Sequence, residues 1–278
     1  MNHQETLAGG FDTQQILSLG QLVALAYSLF DNDESASNPN YPTPFLTGYT
    51  PIANLQACDK PGSSQRVFYG HLCRLKASPG VLVLSVRGTS DFQEAIDDLK
   101  FFKEPYSSDP TYGEVEVGFK EIFATACVST PGNSATTPLC SYLATMQPIT
   151  ELVVVGHSLG SSIATLIAFE VAIKTLAQQM KLLTFASPRT GDRFFSKAFD
   201  SLVSHSLRIV NKPDEVPRVP PEFLGYQHVE TKYQIDSKVY PDLKQSLLCY
   251  HSLGTYLHVL SNGDLGAAPN CVQEPVQP

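Results

Sequence analysis

The sequence predicts an α/β fold, with a mostly parallel central sheet and helices on both faces. Three observations lead there. Short aliphatic runs recur along the chain at Val81–Val86, Leu152–Val155, Leu182–Ala186 and Leu207–Val210, and runs of this length without polar alternation suit strands covered on both sides. Between them lie segments with apolar residues at helical spacing, and such alternation of strand and helix favours parallel pairing. No self-similar period runs through the chain, so a repeat architecture is set aside.

In chain order, Thr13–Phe30 places Ile16, Leu19, Leu22, Val23, Ala26 and Leu29 at helical spacing, which predicts an amphipathic helix. Asn32–Tyr41 reads as a loop. Val67–Lys76 and Val81–Val86 are bounded by Gly or Pro and read as strands, the second ended by Gly88. Asp91–Lys103 carries Phe92, Ala95, Ile96, Leu99 and Phe102 on one face and predicts a short amphipathic helix. Glu114–Val117 is strand-like and Lys120–Val128 helical. After the strand Leu152–Val155, Ser161–Leu176 is apolar on nearly every side as far as Ile173, the pattern of a buried helix. Glu215–Gln245 mixes prolines with the alternation of Val229, Thr231, Tyr233 and Ile235, which reads as loops and a hairpin-like strand. A helix from about His251 to Leu260 closes the pattern.

With 278 residues and 42% apolar content, a single domain over residues 1–278 is the expectation. The net charge of -8, with 19 Lys+Arg, provides no basic surface to gather phosphates and argues against nucleic-acid binding. No apolar run approaches the ~20 residues that a membrane-spanning helix needs. The cysteines Cys58, Cys73, Cys127, Cys140, Cys249 and Cys271 form no C-x-x-C or Cys/His cluster, so no metal site is expected and disulfides are permitted. Cys127–Cys140 and Cys249–Cys271 are the candidate pairs. Charged residues, at 17%, fall below the usual ~25%, which leans toward secretion, with a cytoplasmic location as the alternative. Met1–Gly10 is polar, contains Glu5 and has no apolar stretch of the kind a secretory signal carries.

The chemistry concentrates in Gly156-His157-Ser158-Leu159-Gly160, a G-x-S-x-G pattern with the strand Leu152–Val155 before it and a helical run after it. A strand, a tight turn and a helix in that order lift a serine out at the top of a sheet, and glycines at both flanks keep the crossing open. The helix N-terminus adds unpaired N–H groups and partial positive charge, with the Leu159 N–H as the first donor to an oxyanion. The competing structural reading is a serine that merely caps a helix in a glycine turn. His157 is expected to pack or hydrogen-bond in support rather than act as base, because adjacent residues on such a turn point apart.

A serine nucleophile needs a base and an acid to steady it, and beside this kind of elbow the acid and then the histidine follow in chain order. Asp214, just beyond the strand Leu207–Val210, is the favoured acid, with Glu215 and Asp192 as alternatives and a plain turn aspartate as the bland reading. His228, His251 and His258 remain as bases. His251, in the loop leading into the final helix, is favoured. His258 lies inside that helix and His228 opens an alternating segment, so both read as structural.

Together these segments resemble the class 3 lipases, a family of the α/β-hydrolase fold that includes fungal triacylglycerol lipases and plant phospholipase A1-type enzymes. Besides the elbow, Val86-Arg87-Gly88-Thr89 is similar to the family's oxyanion segment R-G-[ST], and Ser187-Pro188-Arg189-Thr190-Gly191-Asp192 to its S-P-R-x-G-D. Asp214-Glu215-Val216-Pro217 with Pro220-Pro221 is similar to D-x-V-P…P-P, and His251-Ser252-Leu253 with Tyr256 to the histidine segment. The resemblance covers about residues 65–260. It implies an ester hydrolase working through an acyl-enzyme on acyl glycerol esters, with phospholipase A1 or short-chain esterase activity as the alternative and a non-catalytic binding module as a distant one. It implies Thr89 as second oxyanion donor, a lid over about residues 91–103 bearing Phe92, Ile96 and Leu99, and a pocket-lining loop with Phe223 and Leu224. The implied substrate is a lipid or small ester, met at a lipid–water interface, and no cofactor is called for. Ser161, Ala95 and Glu116 depart from the family pattern, where a second glycine, a lid tryptophan and a histidine are usual.

Overall fold

The structure is a computed structural model that describes residues 6–58, 65–89, 101–229 and 231–273. Among these residues the strands of the main sheet, numbered in chain order, are β1 (Tyr49–Cys58), β2 (Arg66–Leu75), β3 (Val81–Val86), β4 (Cys127–Ser129), β5 (Thr137–Pro138), β6 (Glu151–His157), β7 (Gln179–Phe185), β8 (His205–Asn211) and β9 (Lys232–Ile235). In space they run β9-β8-β7-β6-β3-β2-β1-β4-β5. Strands β9 to β3 in that order are parallel, and the other side of the sheet is built of antiparallel pairs.

The parallel half follows from the aliphatic runs. Along β6, Leu152 and Val154 face one hydrophobic cluster while Val153 and Val155 face the other, so both surfaces of the strand are covered. The first cluster includes Ile163, Leu166 and Ile167 of the helix α4 (Leu159–Ile173). The second joins Ile16, Leu19, Leu22 and Val23 of α1 (Thr13–Asn32) to Tyr256 and Leu257 near the C-terminal end of the fold. The start of α1 is fixed by a reciprocal cap between Asp12 and Gln15. Helices thus lie on both faces, as the periodicity predicts.

The departures have local causes. Strand β1 was not foreseen, because Asn54 and Gln56 are buried in it and interrupt the apolar pattern; Gln56 is satisfied by a 2.8 Å bond to Ser129 of β4. The helix expected over 120–128 is α2 (Val117–Ala124), opened earlier by Glu116, whose carboxylate accepts from Phe119 N–H at 2.8 Å. The chain then enters β4. Helices α3 (Leu139–Thr145) and α5 (Arg193–Leu202) were also unforeseen. The alternating segment near Ile235 does not form a hairpin: β9 runs parallel to β8. The closing helix is two pieces, α6 (Leu247–His251) and α7 (Leu253–Leu260), broken at Ser252.

Of the two candidate disulfides, Cys249–Cys271 is present. Cys127 and Cys140 are free, which corrects the other expectation. The β4–β5 hairpin sets Cys127 opposite Pro138, with its thiol toward Cys58 and Thr136, whereas Cys140 on α3 faces Glu170 and Lys174.

Candidate active site

The carboxyl ends of parallel strands are where an open α/β sheet collects functional side chains. Here β3 leads to Thr89, β6 to Ser158 and β8 to Asp214. Ser158 has φ 57 and ψ -133, a strained backbone for a residue with a side chain. Neighbouring glycines make the turn feasible. A methyl at Gly156 would stand 2.4 Å from the Gly160 carbonyl oxygen, and one at Gly160 would stand 2.3 Å from that of Arg87. Leu159 opens α4, so its N–H has no acceptor within the helix. Ser161, where the family has a second glycine, is buried and donates to the Phe185 carbonyl at 2.9 Å, tying the turn to the end of β7.

The structure brings Ser158, His251 and Asp214 into one hydrogen-bonded line. His251 Nε2 lies 2.8 Å from Ser158 Oγ, and His251 Nδ1 lies 3.0 Å from Asp214 Oδ2. All three side chains are buried. Asp214 is held by further donors: Tyr256 OH reaches Oδ2 at 2.7 Å and Val216 N–H reaches Oδ1 at 3.0 Å. Burial, reinforced by the neighbouring Asp214 charge, pushes the Tyr256 phenol well above its ordinary range, so it remains a donor. With the carboxylate fixed, Nδ1 carries the proton and Nε2 is free to accept from the serine.

His157 lies beneath this line. Its Nε2 donates to the His251 carbonyl at 2.8 Å, which leaves Nδ1 to accept from Tyr27 OH at 2.9 Å. Burial, then the nearby His251, drives its pKa well below the usual histidine value, so it stays neutral. The expected supporting role for His157 is matched by these contacts. The part played by Tyr27 was not legible: it stands at the edge of the apolar face of α1, packed against the second cluster, and along the chain reads as one more core-facing residue.

The alternatives are engaged elsewhere. Asp192 caps α5 through Phe194 and Phe195 N–H and also accepts from Glu114 N–H. Glu215 pairs with Arg218 at the surface. His228 Nε2 donates to the Pro217 carbonyl, and burial holds its pKa down at about 3. His258 bonds the Leu265 carbonyl. Arg189 of the S-P-R segment ties to the loop after Asp214 through the carbonyls of Arg218 and Pro220 and through Glu222.

Beside His251 and Thr89 lies a cavity of about 570 Å³, walled by Ala24, Leu248, Leu253, Leu257, Ala267 and Cys271, the last of these held by its disulfide to Cys249. Phe223 and Leu224 are not in its lining; they stand on a surface turn, Phe223 85% exposed. Phe92, Ile96 and Leu99 of the expected lid lie outside the described residues, as does most of its 91–103 span. No group of His, Cys, Asp or Glu among the described residues is arranged to hold a metal ion.

Comparison with known proteins adds to this geometry. The family described as Lipase (class 3) matches residues 83–224, just over half of the chain. The chain belongs to the class 3 lipases. Phospholipase A1-II 4 of Oryza sativa subsp. japonica is 40% identical over 116 residues, covering 39% of this chain and 29% of that one. Secreted mono- and diacylglycerol lipase 1 of Fusarium solani is 29% identical over 155 residues, 56% of this chain and 44% of its own. This class 3 lipase chain spans about half the length, or less, of such relatives. Among solved structures, lipase II from Rhizopus niveus superposes with a TM-score of 0.56 at 20% identity over 80% of each chain. The Rhizomucor miehei lipase propeptide complex gives 0.60 at 19% identity over 91% of this chain and 81% of that one. The fold of this class 3 lipase is therefore the α/β-hydrolase fold.

Proposed function

We propose that this chain is a serine carboxylic-ester hydrolase that cleaves acyl glycerol esters through an acyl-enzyme. The observation that carries the proposal is the buried line from Ser158 through His251 to Asp214. Ser158 Oγ attacks the ester carbonyl while His251 Nε2 takes its proton, and Asp214 steadies the imidazolium so formed. The N–H groups of Leu159 and Thr89 receive the oxyanion. His251 returns the proton to the leaving alcohol, and a water activated by the same histidine then releases the acid. Phe223 and Leu224, with Phe92, Ile96 and Leu99, are proposed to meet the lipid.

Cleavage of a phospholipid at its first acyl ester is the second reading, favoured by the relatives named phospholipase A1. The same chemistry serves both, since only the group beyond the scissile ester changes. A secreted location is supported by the Fusarium solani relative, named as secreted. Among the described residues no helix is long and apolar enough to cross a membrane.

The test is a turnover panel of p-nitrophenyl esters, emulsified triacylglycerol, diacylglycerol and phospholipid vesicles, with Ser158→Ala alongside. Hydrolysis lost in Ser158→Ala, together with labelling of the parent by a fluorophosphonate, is the expected result. Absence of both from the folded parent would overturn the proposal. A rate jump when the substrate aggregates is expected if residues 91–103 act as a lid.

A further inference from the structure

We infer that Arg87, with Tyr27, is a positioning residue for the oxyanion-binding peptide. The inference rests on the ester-hydrolase reading above. It concerns the two peptide bonds on either side of Gly88, which carry the chain from β3 to Thr89.

A trans peptide is planar, so its C=O and N–H point in opposite directions, and fixing one fixes the other. The Gly88 carbonyl accepts from Arg87 Nη1 at 2.6 Å. The N–H in the same plane is that of Thr89, which is thereby turned away from the guanidinium. Gly88 N–H, in the preceding plane, donates to Tyr27 OH at 2.8 Å. Gly88 is thus gripped at both of its polar atoms. The grip lies against the nucleophile turn: a methyl at Gly88 would stand 2.9 Å from Ser158 Cβ and 2.8 Å from the His157 carbonyl oxygen.

Arg87 is itself immobilised. It is 2% exposed, its Nε donates to the Phe68 carbonyl at 2.7 Å, and its guanidinium carbon sits 3.4 Å from the centre of the Phe30 ring and 4.7 Å from that of Tyr69. A cation is a costly way to fill a core position that a leucine or methionine could occupy. A charged donor on the Gly88 carbonyl does what an apolar side chain cannot. It sets the plane, and it draws electrons through the amide so that the Thr89 N–H becomes a stronger donor. Tyr27 completes the arrangement by donating to His157 Nδ1, whose other nitrogen holds the His251 carbonyl. One tyrosine therefore joins the oxyanion side of the site to its histidine side.

The experiment compares Arg87→Met, Arg87→Lys and Tyr27→Phe with the parent on a soluble short-chain p-nitrophenyl ester, below the melting temperature of each. Removing a whole oxyanion donor costs about 10²–10³ in kcat. A donor present but misaimed should lose roughly 10- to 100-fold in kcat, with KM within about twofold and the shape of the pH profile unchanged, because the Ser158, His251 and Asp214 groups are intact. Phosphonylation by a fluorophosphonate should slow in parallel, since it builds the same oxyanion. Arg87→Lys, which keeps the charge but not the two-pronged hold, should fall between Arg87→Met and the parent. A folded variant with parental kcat, or one that changes KM alone, overturns the inference. If Arg87→Met does not fold, Arg87→Lys and Tyr27→Phe decide it by the same ratios. A folded parent that hydrolyses none of the esters overturns the hydrolase reading instead, and this is seen before any variant is made.

Discussion

The Tyr256 hydroxyl and His251 Nδ1 share one acceptor, Asp214 Oδ2, at 2.7 and 3.0 Å. The hydroxyl also accepts from Asn211 N–H at 3.0 Å, the last residue of β8. Its proton is therefore committed to the carboxylate. Tyr256→Phe keeps the ring packing but leaves the buried Asn211 N–H without this acceptor and the carboxylate without one donor. The expected loss is ~1–3 kcal/mol of stability, read by urea unfolding, together with a fall in kcat. Unchanged stability and unchanged kcat would show that the bond does nothing.

Asp214→Asn tests the acid more directly. An amide in that place can offer its N–H to the ring and hold the wrong tautomer, so kcat should fall by ~10³–10⁴ while the fold is kept. Circular dichroism checks the fold, and steady-state turnover checks the rate. A loss below tenfold would move the acid role to another residue.

Acid should destabilise the protein through its buried histidines. His71 is fully buried among Tyr41, Phe45 and Phe68, and burial lowers its pKa to about 3. In the unfolded chain a histidine takes its proton near ~6.5. Between those values the unfolded state binds more protons, so stability is fully present above ~6.5 and is lost as pH falls toward 3, at up to ~1.4 kcal/mol per pH unit from this group. His228 acts in the same direction over the same window. His71→Phe should make the acid limb of the melting-temperature profile shallower, and an unaltered limb would exclude His71 from it.

The disulfide Cys249–Cys271 closes a separation of 22 residues and begins two positions before His251. Loop-closure entropy for a ring of that size is worth ~3 kcal/mol. Cys271→Ser should lower the melting temperature. The bond also pins the segment that walls the cavity beside His251; if that cavity takes the acyl chain, the variant should be impaired more on long-chain than on short-chain esters. Equal impairment on both would separate the disulfide from substrate binding.

The expected strands at Val81–Val86, Leu152–Val155, Leu182–Ala186 and Leu207–Val210 became β3, β6, β7 and β8 within a few residues at each end. These runs were legible because burial on both faces leaves only aliphatic residues. Strand β1 escaped for the opposite reason, since its buried Asn54 and Gln56 break the apolar run and are satisfied by other segments, Asn54 by Asn38 and Tyr41 of the preceding loop and Gln56 by Ser129 of β4. The helix limits near 117 and 159 moved because caps and turns, not periodicity, decide where helices begin.

Local chemistry written into consecutive residues determined the elbow at Ser158 and its glycines, the parallel half of the sheet, and the short list from which Asp214 and His251 were drawn. Tertiary structure alone decided that Tyr27 joins that site, which atoms Arg87 and Tyr256 hold there, which of the candidate cysteine pairs closes, and that Phe223 and Leu224 stand apart from the cavity. The physical reason is the range of the forces involved. Steric and periodic preferences act over a few residues, whereas a hydrogen bond between Tyr27 and Gly88 exists only after the whole sheet has brought their elements together.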